Sequence, residues 1–263
     1  MTRSLSNGHL GSLCLALAAL SCSAAQKPAA SAPQAPPVRE TAAAQTSPPD
    51  LGYHMRASFW DTLDARDALI AGELERAKRA ADHLAKTDYA RLLPQDWMRW
   101  VSQLQQHALE LSMAANMSDA GRALGRLALV CGECHELYET GPNHPRVQPR
   151  PWEDPPDELD ARMHRHQLGM AQMWDGLVLP SEQAFRGGTV TVTRAPLSPP
   201  QRAGEPIDPT LQARIETVRE LARAARRAPT YQERGRVYGD LVARCADCHY
   251  SQRPDKAPRG TAR

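Results

Sequence analysis

The sequence has no excess of charge of either sign and no long apolar run. Its 263 residues carry 32 Lys and Arg against 30 Asp and Glu, which leaves a formal net charge of +2. A balance of this kind does not indicate nucleic acid or another polyanion as the partner. The apolar stretch at residues 10–20 is shorter than the roughly 20 residues that a membrane-spanning helix requires.

The N-terminal residues 1–22 resemble a bacterial export signal. Arg3 precedes the apolar stretch, and residues 19–22, Ala-Leu-Ser-Cys, resemble the cleavage box of a lipoprotein. This box predicts lipidation of Cys22 and tethering to a membrane surface, with cleavage near Ala25 and release into the periplasm as the alternative. Residues 23–50 are rich in Ala and Pro and predict a linker. We therefore expect an exported protein, either periplasmic or membrane-anchored.

Cysteine is scarce, and its positions are specific. Of the six cysteines, Cys14 and Cys22 lie in the export signal, and the other four belong to two Cys-X-X-Cys-His pentapeptides. Two thiols three positions apart on a helix can each add to one vinyl group of a haem, and the adjoining histidine then ligates the iron. The motifs thus predict two covalently attached c-type haems, held by Cys131, Cys134, His135, Cys245, Cys248 and His249.

A second cysteine pair close to the first is missing, and this weakens the zinc alternative. Paired zinc knuckles lie about 12 to 20 residues apart. The two motifs here are separated by 114 positions, from Cys131 to Cys245. Thiol redox chemistry also uses Cys-X-X-Cys, but it does not require a histidine directly after each pair. Covalent haem attachment accounts for both complete motifs.

The sequence around the two motifs repeats. Gly121 and Gly235 lie ten residues before the first cysteine of their motifs, and Gly125 and Gly239 lie six before it. Glycine inside a helix costs about 1 kcal/mol relative to alanine. The same glycines at the same offsets therefore predict a duplication, and a close approach by the haem or by a neighbouring helix at these positions.

Apolar residues recur at helical spacing before both motifs. The predicted helices are 55–70, 73–86, a run from Trp97 to Leu111 and a run from Leu124 into the first motif, followed by 157–178, 182–194, a run from Leu211 to Ala225 and a run from Tyr238 into the second motif. We predict an all-α fold of two tandem four-helix-bundle units, 51–138 and 157–251, each ending in its haem-binding helix. A Pro-rich linker, 139–156, separates them, and a polar basic tail, 252–263, follows.

One segment of the second unit is ambiguous. Residues 187–193, Gly-Gly-Thr-Val-Thr-Val-Thr, have the β-branched content of a strand. The repeat predicts a helix at this position, because the first unit has one there. We predict helix, with strand as the local alternative.

The order of four helices followed by Cys-X-X-Cys-His resembles the class II c-type cytochromes, the cytochrome c′ and c-556 group. The resemblance covers both units and implies a tandem di-haem form in which His135 and His249 are the proximal ligands. In that family a residue of the first helix covers the distal face of the haem, and it is methionine in six-coordinate members. Aligning residues 67–70 with 175–178 places Met55 opposite Met163, which we predict as the sixth ligands. His/Met ligation suits electron transfer.

Other distal ligands remain open. Met170 replaces Met163 if Gly72 is aligned with Gly187, and bis-histidine ligation is possible through His54, His164 or His166. His166 aligns with Ser58, so ligation by His166 would make the two haems different. Each of these side chains can also be interpreted without iron ligation, the methionine as a core residue and the histidines as surface residues.

Three functions follow from these ligation states. We predict an electron carrier without enzymatic activity, working with redox partner proteins. The alternative is five-coordinate iron for gas binding or sensing, and a haem peroxidase using His164 or His166 as acid/base group is a third. The oligomeric state, monomer or homodimer, stays open.

Two further groups of polar residues receive structural interpretations. His83 and His107 lie in mid-unit helices and are interpreted as polar-face residues. Arginines can bind haem propionates, but a solvated helix face is the simpler interpretation for Arg122, Arg219, Arg223, Arg226, Arg227 and Arg236.

Overall fold

The structure, a computed structural model, describes residues 51–91, 93–138, 159–195 and 207–251. The predicted export signal with Cys22, both linkers (23–50 and 139–156) and the tail (252–263) lie outside these residues. Eight α-helices account for most of the described chain: α1 Leu51–Ile70, α2 Leu74–Lys86, α3 Met98–Ser112, α4 Met117–Tyr138, α5 Leu159–Val178, α6 Glu182–Arg194, α7 Pro209–Arg227 and α8 Tyr231–Ser251. No strand occurs in the described ranges, which confirms the all-α class. None of these helices has the length and apolarity needed to cross a membrane.

The turn between α1 and α2 is a Schellman motif at Gly72. Gly72 has φ 76°, a left-handed conformation that glycine adopts without strain. Its N–H donates to Leu69 O at 2.9 Å, and the N–H of Glu73 donates to Ala68 O at 2.8 Å. This ends α1 at Ile70, where the sequence predicted it.

Helix α6 forms despite its strand-like sequence. Threonine hydroxyls bond back to carbonyls of the preceding turn, as Thr193 Oγ1 does to Thr189 O at 2.7 Å, so these polar side chains are satisfied within the helix. A Cβ added to Gly188 would collide with Met173 and with the backbone of Gly169 on α5. Close packing on α5 therefore needs glycine here and outweighs local β propensity. The helix prediction for 182–194 is confirmed.

The repeated glycines lie where α4 crosses α8. A Cβ on Gly121 would collide with the carbonyl of Gly239, and a Cβ on Gly125 with that of Gly235. Because 121 is equivalent to 235 and 125 to 239, the two contacts are related by exchange of the halves. The close approach predicted at these glycines is confirmed, and a neighbouring helix makes it.

The first helix of each half packs against the last helix of the other half. We call residues 51–138 the first half and 159–251 the second half. Helix α1 packs on α2 and α8, and α5 packs on α6 and α4. All described helices belong to one compact unit, residues 46–263. Its core contains buried residues of both halves, such as Leu69 of α1 and Trp174 of α5. The guanidinium of Arg66 on α1 lies 5.6 Å from the centroid of the Trp174 ring.

A charged cluster links α3 to α4 on the surface. Glu110 accepts hydrogen bonds from Arg126 Nη2 at 2.7 Å and from His107 Nδ1 at 3.0 Å. Burial alone would raise the pKa of Glu110, but hydrogen bonds from His107, Arg126 and Gln106 outweigh it and lower the pKa to about 2. The carboxylate therefore stabilises the fold at neutral pH.

We expect Glu110→Gln to lower the free energy of unfolding at pH 7 by up to about 1 kcal/mol, since the pair is partly exposed and screened by solvent. A carboxyl with a lowered pKa contributes stability above its unfolded pKa and loses it as the pH falls towards its folded pKa. Urea unfolding should thus show a smaller difference between variant and parent at pH 3 than at pH 7. The exposed Glu75→Gln serves as the control, and an equal difference at both pH values would contradict the prediction.

Candidate functional site

The first motif lies on the last turns of α4, beside a small apolar cavity. Cys131, Cys134 and His135 line this cavity of about 80 Å³. Methionine and aromatic side chains from α1, from the segment between α2 and α3 and from the first turn of α3 close it, namely Met55, Phe59, Tyr89, Trp97 and Trp100. Ser58 and Tyr89 provide a hydroxyl pair there, 2.8 Å apart.

The motif histidine of the first site is fixed by a carbonyl of the second half. His135 Nδ1 lies 2.8 Å from Val178 O, at the C-terminal end of α5. A carbonyl oxygen can only accept, so Nδ1 carries the hydrogen. Burial lowers the pKa of His135, although this hydrogen bond acts in the opposite direction. The neutral ring therefore presents an unprotonated Nε2 as its metal-ligating atom.

The second motif repeats this arrangement with the halves exchanged. His249 Nδ1 lies 2.6 Å from Ile70 O, at the C-terminal end of α1. Cys245, Cys248 and His249 line a cavity of about 670 Å³. Ile70 and Val178 occupy equivalent positions in the repeat alignment. The carbonyl at this position therefore accepts the hydrogen bond of a motif histidine in both halves.

Each motif histidine donates a hydrogen bond to the last carbonyl of α1 or α5. The last four carbonyls of a helix lack partners within the helix. In α1 these carbonyls accept from Ala71 N, Glu73 N, Gly72 N and, at Ile70, His249. In α5 they accept from Leu179 N, Ser181 N, Tyr231 Oη and, at Val178, His135. Each motif histidine thus binds a carbonyl that is free because the helix ends there.

Tyr231 holds the end of α5 next to the first site. Its hydroxyl donates to Leu177 O, the carbonyl adjacent to the one that binds His135. Position 231 is equivalent to Met117 in the first half, which has no hydroxyl. Tyr231 is therefore a positioning residue for His135, and the second site has no matching side chain at this position.

We expect Tyr231→Phe to loosen the end of α5 and to change the surroundings of His135 without changing those of His249. Leaving Leu177 O without its partner costs about 1–3 kcal/mol if the group stays buried. The measurement is the chemical shift of each motif histidine Nδ1–H by NMR, with Tyr53→Phe as a control at an exposed tyrosine in the first turn of α1, at the opposite end of that helix from Ile70. Equal shifts at both histidines would contradict a role confined to the first site.

Both predicted sixth ligands line the cavity of their own motif. Met55 of α1 borders the first cavity, and Met163 of α5 borders the second. Met170 is buried in the second cavity as well. The ligand assignment stays a prediction, but α1 and α5 each reach both motifs.

The histidine alternatives differ in placement. His166 is buried beside the second cavity, where its Nε2 donates to Ala195 O at 3.1 Å. His164 borders the same cavity and is exposed. His54 packs edge-on against Tyr53. His83 and His107 bind Asp61 and Glu110 instead.

No disulfide joins the four motif cysteines, and their surroundings disfavour the thiolate. Burial, with a smaller effect of Cys134, raises the pKa of Cys131 to about 12, and burial with a smaller effect of Cys248 raises that of Cys245 to about 12. Burial raises the pKa of Cys134 to about 11. Thiol exchange and zinc binding both use the thiolate. Within the described ranges, no three His, Cys, Asp or Glu side chains are placed to hold a metal ion together.

The arginines named from the sequence mostly pair with carboxylates on the surface. Arg236 binds Asp240 at 3.0 Å, and Arg223 binds Glu216 at 2.9 Å. A different arginine, Arg214 of α7, borders the second cavity and was not singled out in the sequence. No sequence signal distinguishes Arg214, because only the packing of α7 brings it to the motif.

Comparison with protein-family models, with curated proteins and with solved structures found no match.

Proposed function

We propose that this chain is an exported di-haem c-type cytochrome that transfers electrons, built from two four-helix units of the class II type. One observation carries the proposal: a Cys-X-X-Cys-His motif whose histidine binds the last carbonyl of a helix, beside a cavity lined by a methionine, occurs twice. Because the two sites are built alike, we expect the same type of cofactor at both.

The side chains at each motif are of the kinds that hold a c-type haem: two thiols, a histidine and a mostly apolar lining. Cys131 and Cys134 in the first site, and Cys245 and Cys248 in the second, would carry the thioether bonds. Hydrogen-bonded Nδ1 atoms leave Nε2 of each motif histidine for the iron. The second cavity, about 670 Å³, lies within the range of about 300–1,000 Å³ usual for ligand sites. The first is smaller, so its aromatic side chains must withdraw to admit a haem.

Electron transfer is the function that this design supports best. A bound haem supplies one-electron redox chemistry. The chain contributes fixed proximal histidines, a low-polarity lining and a thioether at each cavity, which together favour His/Met ligation and small rearrangement between redox states. We expect Met55 and Met163 to be the sixth ligands.

The first test is the mass and the optical and EPR spectrum of the full chain expressed in a bacterium that matures c-type cytochromes. Two covalent haems with low-spin iron and a thioether band near 695 nm, roughly where ferric His/Met haem absorbs, are expected. Absence of covalent haem would refute the proposal. High-spin iron that binds carbon monoxide would assign that site to gas binding or catalysis instead.

Met55→Leu and Met163→Leu identify the ligands within the same proposal. Each substitution removes a sulfur at nearly constant volume. Loss of the thioether band of one haem per variant is expected, with Met113→Leu, at an exposed methionine directly after α3, as the control. Unchanged spectra in both variants would exclude methionine ligation.

A further inference from the structure

Helices α1 and α5 each take part in both motif sites. Helix α1 presents Met55 to the first cavity and, fifteen residues later, the Ile70 carbonyl to His249 of the second site. Helix α5 presents Met163 to the second cavity and, fifteen residues later, the Val178 carbonyl to His135 of the first. Neither site is complete without a helix from the other half.

We propose that the two haem sites are coupled through α1 and α5, each of which lines one site and holds the proximal histidine of the other. This inference rests on the proposed di-haem function. Fifteen residues of α-helix span about 22 Å at 1.5 Å per residue. An intact helix of this length transmits a displacement of its N-terminal end to its C-terminal carbonyl.

The α4–α8 pair provides the fixed frame for such a movement. Backbone atoms of Gly121 and Gly239, and of Gly125 and Gly235, meet with no space for a Cβ. The motif histidines are carried by these same two helices. A shift of α1 or α5 therefore changes a histidine–carbonyl contact, because the histidine side of that contact is held in place.

The hydrogen bond at Nδ1 sets how strongly a proximal histidine donates to iron. A stronger bond makes the imidazole a better donor and favours ferric iron, while a weaker bond favours reduction. Helix α5 supplies the expected sixth ligand of the second haem and also the carbonyl that binds His135. A substitution on α5 that changes the ligation of the second haem is therefore expected to change the reduction equilibrium of the first haem. Helix α1 makes the equivalent connection from the first cavity to His249 of the second site. Because coupling free energies are reciprocal, each haem is expected to change the reduction equilibrium of the other by the same factor.

The test compares substitutions in the second cavity that lie on α5 with one that does not. Met163→Leu and Met170→Ala alter α5, whereas Ile215→Val alters α7 in the same cavity. Potentials of both haems are measured on the full, haem-loaded chain, and the first haem is assigned in a chain lacking Cys245 and Cys248. The Nδ1–H resonance of His135 is followed in the fully oxidised state, where the redox state of the other haem is constant.

At least one α5 variant is expected to change the equilibrium constant for reduction of the first haem threefold or more, towards easier reduction. At 59 mV per tenfold change this is about 28 mV. The His135 resonance should move with it, and Ile215→Val should leave both unchanged. The coupling is overturned if the α5 variants alter the second haem but not the first, or if Ile215→Val acts equally on the first. A chain without haem would instead refute the proposed function, which the mass reveals before any potential is measured.

Discussion

Gly121→Val is expected to lower the free energy of unfolding by about 3 kcal/mol, near the upper end of what overpacking a core costs. Any side chain at this position meets the carbonyl of Gly239 on α8, which is backbone and cannot rotate away. Valine has a higher helix propensity than glycine, but this offsets less than about 1 kcal/mol of the loss. The two helices must separate, and α4 and α8 carry both motifs.

The thermal midpoint of the purified chain measures this effect. At about 2–4 °C per kcal/mol for a chain of this size, a drop of about 6–12 °C is expected. Gly52→Val is the matched control, because Gly52 is exposed near the start of α1 and a Cβ there meets only the end of Arg56. A stable Gly121→Val chain would show that the α4–α8 contact is not needed.

Replacing Cys131 and Cys134 together by alanine is expected to reduce the haem content from two to one per chain. The remaining haem should be attached through Cys245 and Cys248, since the second motif is untouched. Thioether bonds form only with the motif thiols. A haem held at the first site by iron coordination alone will therefore dissociate when the chain is denatured. Mass spectrometry of the denatured chain measures the number directly.

Cys22→Ser is the control for this experiment, because it removes a cysteine outside both motifs. It should retain two haems while losing any lipid at that position. Two covalent haems in the Cys131→Ala, Cys134→Ala chain would show that the first motif does not attach the cofactor. A chain with none would show that the second site cannot be loaded alone.

Much of the helical structure could be predicted from the sequence, because its signals are local. Gly72 ends α1, and the break at Pro180 separates α5 from α6. The least certain prediction, the helix over 182–194, required the repeat as well, since Thr-Val-Thr-Val-Thr alone favours a strand. Gly169 and Gly188 explain the outcome, because close packing on α5 demands a helix with glycine at the contact.

The motif residues could be identified from the sequence alone, but their supporting groups could not. Ile70 and Val178 act through backbone carbonyls, and no side-chain type marks such a role. Tyr231 lies in the second half yet supports a histidine of the first half. A sequence pattern shows which residues share a helix face, but not which distant helix end that face meets.

The sequence by itself determined the two Cys-X-X-Cys-His motifs, the repeated glycines around them and the all-helical class, because residue spacing and apolar periodicity can be read from the order of residues along the chain. Only the tertiary structure decided that α4 and α8 meet at those glycines and that each first helix crosses to the other half. The physical reason is that helix ends leave carbonyls without partners, and long-range packing alone determines that His135 finds Val178 while His249 finds Ile70.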